Sequence, residues 1–265
     1  MREIRLGLKI IKTLVKDRVY YPGRLFSDIM SLLVRCGLLL CIYSYVFKLN
    51  AGQIKGYHFS VAAWSMFLYF IFLTLRLRDI PSAIMEDVKS GNIEVLLNKP
   101  ISYLYYRAIW QVGTGLFPFL VLCFAGTLCM AGLVGVPNDW NSFTYVCLLI
   151  SILLCSLLCI VIYSLIGLCA FWIEDILPLN WLVDKFIMMF AGAYVPIAFL
   201  PEMLQNIAIY SPFGAAISIS NVAYPNWNNN FLFYFLIQIF WISLLGGILF
   251  LLFNRAQKQL SVNGG

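Results

Sequence analysis

This sequence predicts an all-α membrane protein of six transmembrane helices, and two observations carry most of that expectation. Hydrophobic residues make up 62% of the 265-residue chain and charged residues 11%, against roughly 45–50% and 25% in soluble domains; mean hydropathy is +0.87. The apolar residues also gather in runs of about the 20 residues needed to cross hydrocarbon. These runs lie near 28–48, 58–75, 108–133, 143–172, 179–200 and 231–253. A soluble globular protein is excluded. With no linker-rich boundary or internal repeat, one transmembrane domain over 1–265 is the simplest organisation.

Residues 1–24, MREIRLGLKIIKTLVKDRVYYPGR, come before the first span. Arg2, Arg5, Lys9, Lys12 and Lys16 recur on one helical face, and Ile4, Leu8, Ile11 and Val15 on another. That spacing predicts an amphipathic helix lying along the membrane surface and stopped by Pro22-Gly23. The segment lacks the apolar core and small-residue cleavage site of a secretory leader.

Six spans put both termini on one side, and the basic residues choose it. Seven precede the first span (2, 5, 9, 12, 16, 18, 24), five lie in the 76–107 connection and two in the tail, fourteen in all. The opposite connections hold Lys48 and Lys55. This bias predicts cytoplasmic termini. The net charge of +6 then faces anionic lipid at the inner leaflet, so membrane lipids are the expected partner of that charge and nucleic acid is not.

Arg35 lies inside the first span. An arginine at the bilayer centre costs at least about 2.5 kcal/mol, so it should pair or face water. Asp184, at similar depth in the fifth span, is the expected partner; snorkelling of Arg35 to the inner headgroups is the alternative.

The connection at 76–107, RLRDIPSAIMEDVKSGNIEVLLNKPISYLYYR, carries nine charges of mixed sign. Pro81 can open a helix in its first turn. Ser90-Gly91 then breaks it. Asn92 can cap a second, short helix with Ile93, Leu96 and Leu97 on its apolar side, and Lys99-Pro100 ends it. The expectation is a capped helix presented to the cytoplasm, its apolar residues suited to a groove on a partner. A connector resting on lipid headgroups fits the same pattern.

The segment 199–229 is too apolar for a loop in water and too broken by Pro201, Pro212 and Pro225 to span. Irregular backbone at membrane depth survives only where protein or a water-filled cavity covers it. Two short re-entrant helices on either side of Ser211-Pro212, forming a cap that could gate an outward exit, are predicted. An amphipathic surface loop without a gating role is the alternative.

Catalytic and metal chemistry find no support. The eight cysteines lie in apolar runs without a CxxC spacing, and His58 is the single histidine, which leaves metal ligation without a donor set. No G-x-x-x-x-G-K-[ST] phosphate loop occurs.

The stretch SGNIEVLLNKPISYLYYRAI resembles the inner connection of ABC-2 type permeases, in which G-x-[IL]-x-x-x-L-x-[RK]-P recurs; Gly91, Ile93, Leu97, Lys99 and Pro100 match it. FAGAYVPIAFLPEMLQNIAIYSPF is similar to that family's fifth span and re-entrant cap, through Gly192, Pro196, Pro201, Pro212 and Phe213, with Glu202 beside them. The resemblance implies the ABC-2, or type V exporter, fold. It implies a permease that works beside a second permease subunit, as a homodimer or with a sister permease, and two ABC ATPase subunits. ATP and magnesium would be bound by the ATPases, with no cofactor and no enzymatic activity in this chain. It further implies that the N-terminal helix (Arg2, Arg5, Lys9, Lys12) and the inner helix (Ser90, Gly91, Asn92, Ile93, Glu94, Leu96, Leu97, Lys99, Pro100) couple to the ATPase. The expected setting is the inner or plasma membrane of a bacterium, and the expected cargo amphipathic or hydrophobic: a drug, a lipid-linked compound or a peptide. Two other classes need features not evident here. A secondary transporter needs midplane charges and broken helices in matching halves, and a membrane enzyme needs a polar catalytic cluster.

Overall fold

The computed structural model describes residues 2–137, 139–225 and 227–263, and they are mainly helical. α1 (Arg2–Tyr20) ends just before Pro22, which opens α2 (Pro22–Leu49). A two-stranded hairpin, β1 (Gln53–Ile54) with β2 (Tyr57–His58), follows and was not expected. Its turn uses left-handed backbone at Lys55 and Gly56.

α3 (Phe59–Leu73) is apolar on every face, and a helix of that kind belongs inside a bundle. Every residue from Val61 to Phe72 is buried. At Arg76 the backbone turns left-handed (φ +59°), and after a 3-10 turn at Leu77–Asp79 the chain enters α4 (Ile80–Lys89), bent 43° from α3. Pro81 sits in the first turn of α4, where its missing N–H costs no hydrogen bond. A six-residue helix, α5 (Asn92–Leu97), leads through Ser102 to α6 (Tyr103–Leu133). α7 (Ser142–Leu168) starts at a capping box in which Asn141 accepts from the Thr144 N–H at 3.0 Å.

The fifth expected span is shorter than its apolar run. α8 (Leu177–Phe190) has 14 residues, about 21 Å at 1.5 Å per residue, where hydrocarbon is ~30 Å thick. A turn at Gly192 (φ +74°) and Pro196 break the helix that 179–200 suggested. α9 (Glu202–Tyr210) and α10 (Pro212–Ala216) follow on either side of Ser211-Pro212, and the chain closes with α11 (Trp227–Asn263). Among the described residues four helices are long and apolar enough to span (α2, α6, α7 and α11), or five if the bent pair α3–α4 counts as one. Of the six expected spans, those at 58–75 and 179–200 correspond to helices, α3 and α8, that fall short of this length by themselves.

Residues 214–223 are buried, and this irregular stretch has its backbone answered by side chains. Gln238 on α11 donates to the Ala215 carbonyl at 3.0 Å and to Ser218 Oγ at 3.0 Å. Ser220 Oγ donates to the Ala191 carbonyl at 2.7 Å, and the Cys159 thiol to that of Ala216 at 3.4 Å. Lipid offers no hydrogen bonds, so such a segment persists only with partners of this kind.

Candidate functional site

The polar connection 76–107 folds around a carboxylate. Asp87, near the end of α4, is 3% exposed. Tyr103 donates its hydroxyl to Asp87 Oδ2 at 2.7 Å, and Arg107 Nε donates to the same oxygen at 2.6 Å, with a second guanidinium nitrogen in closer contact. Asn92 Nδ2 reaches back to Oδ1 at 3.4 Å. One buried anion thus joins α4, α5 and the first turns of α6. It is tolerated because a cation and a neutral donor meet it directly. The Tyr103 ring stacks on Phe253 of α11, 6.4 Å between centroids at 9°, so the cluster also touches the last helix.

α5 is fastened to this cluster from above. Gly91, in the left-handed region at φ +72°, occupies the N-cap position, and Asn92 is the first helical residue rather than the cap. Ile93 is 1% and Leu96 5% exposed, and Leu97 is half-buried. The expectation that these three face a partner's groove is therefore corrected. A helix of six residues cannot stand alone in water, so it docks its apolar side on its own protein. What it presents outward is Glu94, Val95 (62% exposed), Asn98, Lys99 and Pro100, with Ser90, Gly91 and Asn92 at its start. Ser90 Oγ donates to the Glu86 carbonyl at 2.7 Å and closes α4. Lys99 lies over the Tyr106 ring, 5.4 Å from its centroid.

α1 lies beside the same surface. Ser102 N donates to Glu3 Oε1 at 3.2 Å, and Gly7 and Gly113 let α1 and α6 approach closely. The face of α1 that packs on α6 is Gly7, Ile11, Leu14 and Arg18. Ile4 and Leu8 stay about 60% exposed, an apolar strip free to enter the headgroup region. Arg5, Lys9 and Lys12 are exposed on the side turned away from α6; the side chain of Arg2 lies outside the described residues. The two segments expected to work together are thus adjacent.

The expected ion pair between Arg35 and Asp184 is not formed. Asp184 accepts from the Tyr163 hydroxyl at 3.0 Å and faces Arg78 at 3.9 Å. Arg35 is exposed and lines a polar crevice with Asp28, Ser31, Thr74, Arg76 and Arg78. The bend after α3 swings Arg78 toward α8, which sequence depth alone does not reveal. Arg35→Ala and Asp184→Ala are therefore expected to add within about 0.5 kcal/mol in thermal unfolding. A double-mutant cycle on Arg78 and Asp184 should instead show coupling, of the ~0–1 kcal/mol usual for a partly exposed pair.

At the opposite end of the molecule, Gly192 and Pro196 are buried, Pro212 and Phe213 half-buried, and Pro201 and Glu202 exposed. Phe213 stacks on Phe186 of α8, 5.4 Å apart at 28°, and packs with Leu204 on Phe190, Ile197 and Ala208. Ser211 caps α10 by accepting from the Gly214 N–H at 3.2 Å. This cluster forms one wedge, which Gly192 adjoins through Ile197.

Sequence reasoning missed Asp87, Tyr103 and Arg107 as a unit. The available signal was a pair of opposite charges twenty residues apart in a segment otherwise read as solvated. It also missed Gln238, whose only mark is a lone amide in an apolar helix.

A protein-family model described as an ABC-2 family transporter protein matches residues 32–264, most of the chain. No curated protein matches it.

Proposed function

The chain belongs to the ABC-2 family of transporter proteins, and from that premise we propose that it is the membrane half of an ATP-driven exporter whose ATPase docks on the outward face of α5 and the adjoining start of α1. Membership makes it a membrane-embedded permease component that works with ABC ATPase subunits. The finer reading is two ATPases beneath two permeases, identical or sister chains, in the inner or plasma membrane of a bacterium with both termini cytoplasmic. The cargo is amphipathic or hydrophobic, and the wedge of Gly192, Pro196, Pro212 and Phe213, with Pro201 and Glu202 at its rim, acts as the outer gate.

The observation that supports docking is the Asp87–Arg107–Tyr103 cluster beneath α5. A six-residue helix transmits a push only if it is tied rigidly to longer ones. Here a buried ion pair binds α4 to α6, Asn92 at the start of α5 donates to the same carboxylate, and the bend at Arg76 joins α4 to the central α3. Closure of the ATPases, displacing α5, would be felt along both. Arg5, Lys9 and Lys12 flank the apolar strip of α1 and hold it at the inner leaflet beside this face.

The test is co-purification with the co-expressed ATPase. Glu94→Lys/Val95→Asp alters only the outward face of α5 and is expected to reduce recovered ATPase at least tenfold with permease yield unchanged. Deleting 91–98 is less clean, because Ile93 and Leu96 belong to the core. Association unaffected by the double substitution would sink the docking face.

A further inference from the structure

Two polar cavities adjoin where α3 gives way to α4. The narrow one, the crevice of about 110 Å³ at Arg35, sets Arg35, Arg76 and Arg78 against one carboxylate, Asp28. The wide one, about 600 Å³, sets Asp28, Asp79 and Glu86 against Arg18 and Arg76. Asp28 and Arg76 line both. Along α2 the lining passes from Ser27 and Asp28 in the wide cavity to Ser31 and Arg35 in the narrow one. At 1.5 Å per residue Arg35 lies about 10 Å deeper in the membrane than Asp28. Charge is thus sorted by depth, basic within and acidic at the mouth. Arg76 is bonded to Asp79 at 3.1 Å and Arg78 faces Asp184 at 3.9 Å, but Arg35 makes no ion pair or hydrogen bond with a described residue. α2 runs on to Leu49, about 21 Å past Arg35, so within hydrocarbon ~30 Å thick the guanidinium stands inside the boundary on the α5 side. A cation at that depth demands a counter-charge. All three arginines can be reached: Arg35 is exposed, and the side chains of Arg76 and Arg78 are each 41% exposed.

We infer that the joined cavities bind one phospholipid from the leaflet on the α5 side, its phosphate against Arg35 and Arg78 and the amine of its head in the acidic mouth. The guanidinium fork matches phosphate oxygens with paired donors, and the exposed Ser31 hydroxyl lines the same crevice. The sorting of charge by depth selects the head. In a phosphoethanolamine lipid the phosphate lies next to the acyl chains and the ammonium beyond it toward water, which is the order of the lining. Glu86, exposed at the mouth, meets that ammonium. A phosphate head without an amine would bring its one charge to the arginines and leave Glu86 unanswered. The chains have a path, because Leu32, Phe70 and Leu73 form the apolar side of the crevice and Met30, Leu33 and Val34 of α2 are exposed beside it. The site requires only that α2 spans and does not depend on where the ATPase docks.

The test is native mass spectrometry of the full-length permease in detergent, titrated with phosphatidylethanolamine, phosphatidylglycerol or diacylglycerol of the same chains. The first phosphatidylethanolamine is expected to bind about tenfold more tightly than diacylglycerol and about threefold more tightly than phosphatidylglycerol. Arg35→Gln should weaken it about tenfold, the size of one lost charge-assisted hydrogen bond. Arg255→Gln, which removes an exposed cation on α11, should change nothing. Arg35→Lys should fall between wild type and Arg35→Gln, since lysine keeps the charge but loses the fork; this variant carries the test if Arg35→Gln fails to fold. Glu86→Gln should erase the preference for phosphatidylethanolamine over phosphatidylglycerol and leave both tighter than diacylglycerol. Equal binding of the three lipids, or binding indifferent to the Arg35 variants, would mean ordinary solvation by surrounding lipid and would overturn the site. Displacement by equimolar glycerophosphoethanolamine would put a soluble phosphate ester in the crevice and overturn the lipid. Retention of the bound lipid through ATP turnover with the partner ATPase would identify a structural lipid, and its release only during turnover a cargo; either supports the site.

Discussion

Asp87→Asn is expected to uncouple this permease and to destabilise it. The substitution removes the charge that compensates Arg107 while keeping the shape of the side chain. Arg107 and Asp87 have side chains only 15% and 4% exposed, so the guanidinium is left buried beside a neutral amide. Breaking one partner of a buried pair typically costs about 3–5 kcal/mol, a large part of the ~5–15 kcal/mol that stabilises most folded proteins. The unfolding midpoint in detergent should fall by several degrees, and α4, no longer tied to α6, should pass on less of a push on α5. In reconstituted vesicles ATP hydrolysis is expected to survive better than transport. Arg107→Gln should behave similarly, and the pair Asp87→Asn/Arg107→Gln should be less damaging than the two losses summed, because neither charge remains uncompensated. Stability unchanged by Asp87→Asn, or strict additivity in the cycle, would remove the cluster from the coupling account.

Gly214→Val is expected to be the most damaging single glycine substitution of the cap. A Cβ at Gly214 would overlap the Ala208 carbonyl and lie 3.0 Å from that of Phe190. Both neighbours are backbone and cannot rotate aside. Overpacking commonly costs about 1–3 kcal/mol, and here α10 must separate from α9 or α8 to relieve it. Folded yield and transport should fall together, since the cap loses its seat on Phe190 and Ala208. Gly37→Ala and Gly246→Ala serve as controls. Both are helical glycines with nothing within 4 Å of an added Cβ, and alanine is the better helix former by about 1 kcal/mol, so neither should reduce yield. Equal behaviour of the three variants would contradict the close approach.

The inner helix shows where sequence reasoning holds and where it stops. Its existence, its boundaries near 92–97 and the role of Ser90-Gly91 as a break are local matters of backbone preference and apolar spacing. So is the division of the re-entrant segment at Ser211-Pro212. Which apolar residues of α5 face out is not local. Ile93 and Leu96 carry the same pattern whether a partner or the protein itself covers them, and tertiary contact with the bundle decided for the protein. Span five shows the same limit from the other direction. The run 179–200 is apolar enough to span, yet Gly192 and Pro196 turn the second half into the seat of the cap.

The sequence by itself determined the membrane class, the long helices α2, α6, α7 and α11, the polar break between spans two and three, and the proline-divided cap. Each depends on transfer free energy or backbone geometry summed over neighbouring residues. Only the tertiary structure decided that Asp87 meets Arg107, that Asp184 meets Arg78 instead of Arg35, that Gln238 holds the cap, and that Val95 rather than Ile93 faces outward. These are choices among partners separated by many residues in the chain. A charge or an amide in an oily sequence demands a partner, but the demand is equal for every candidate at the same depth, and packing alone selects among them.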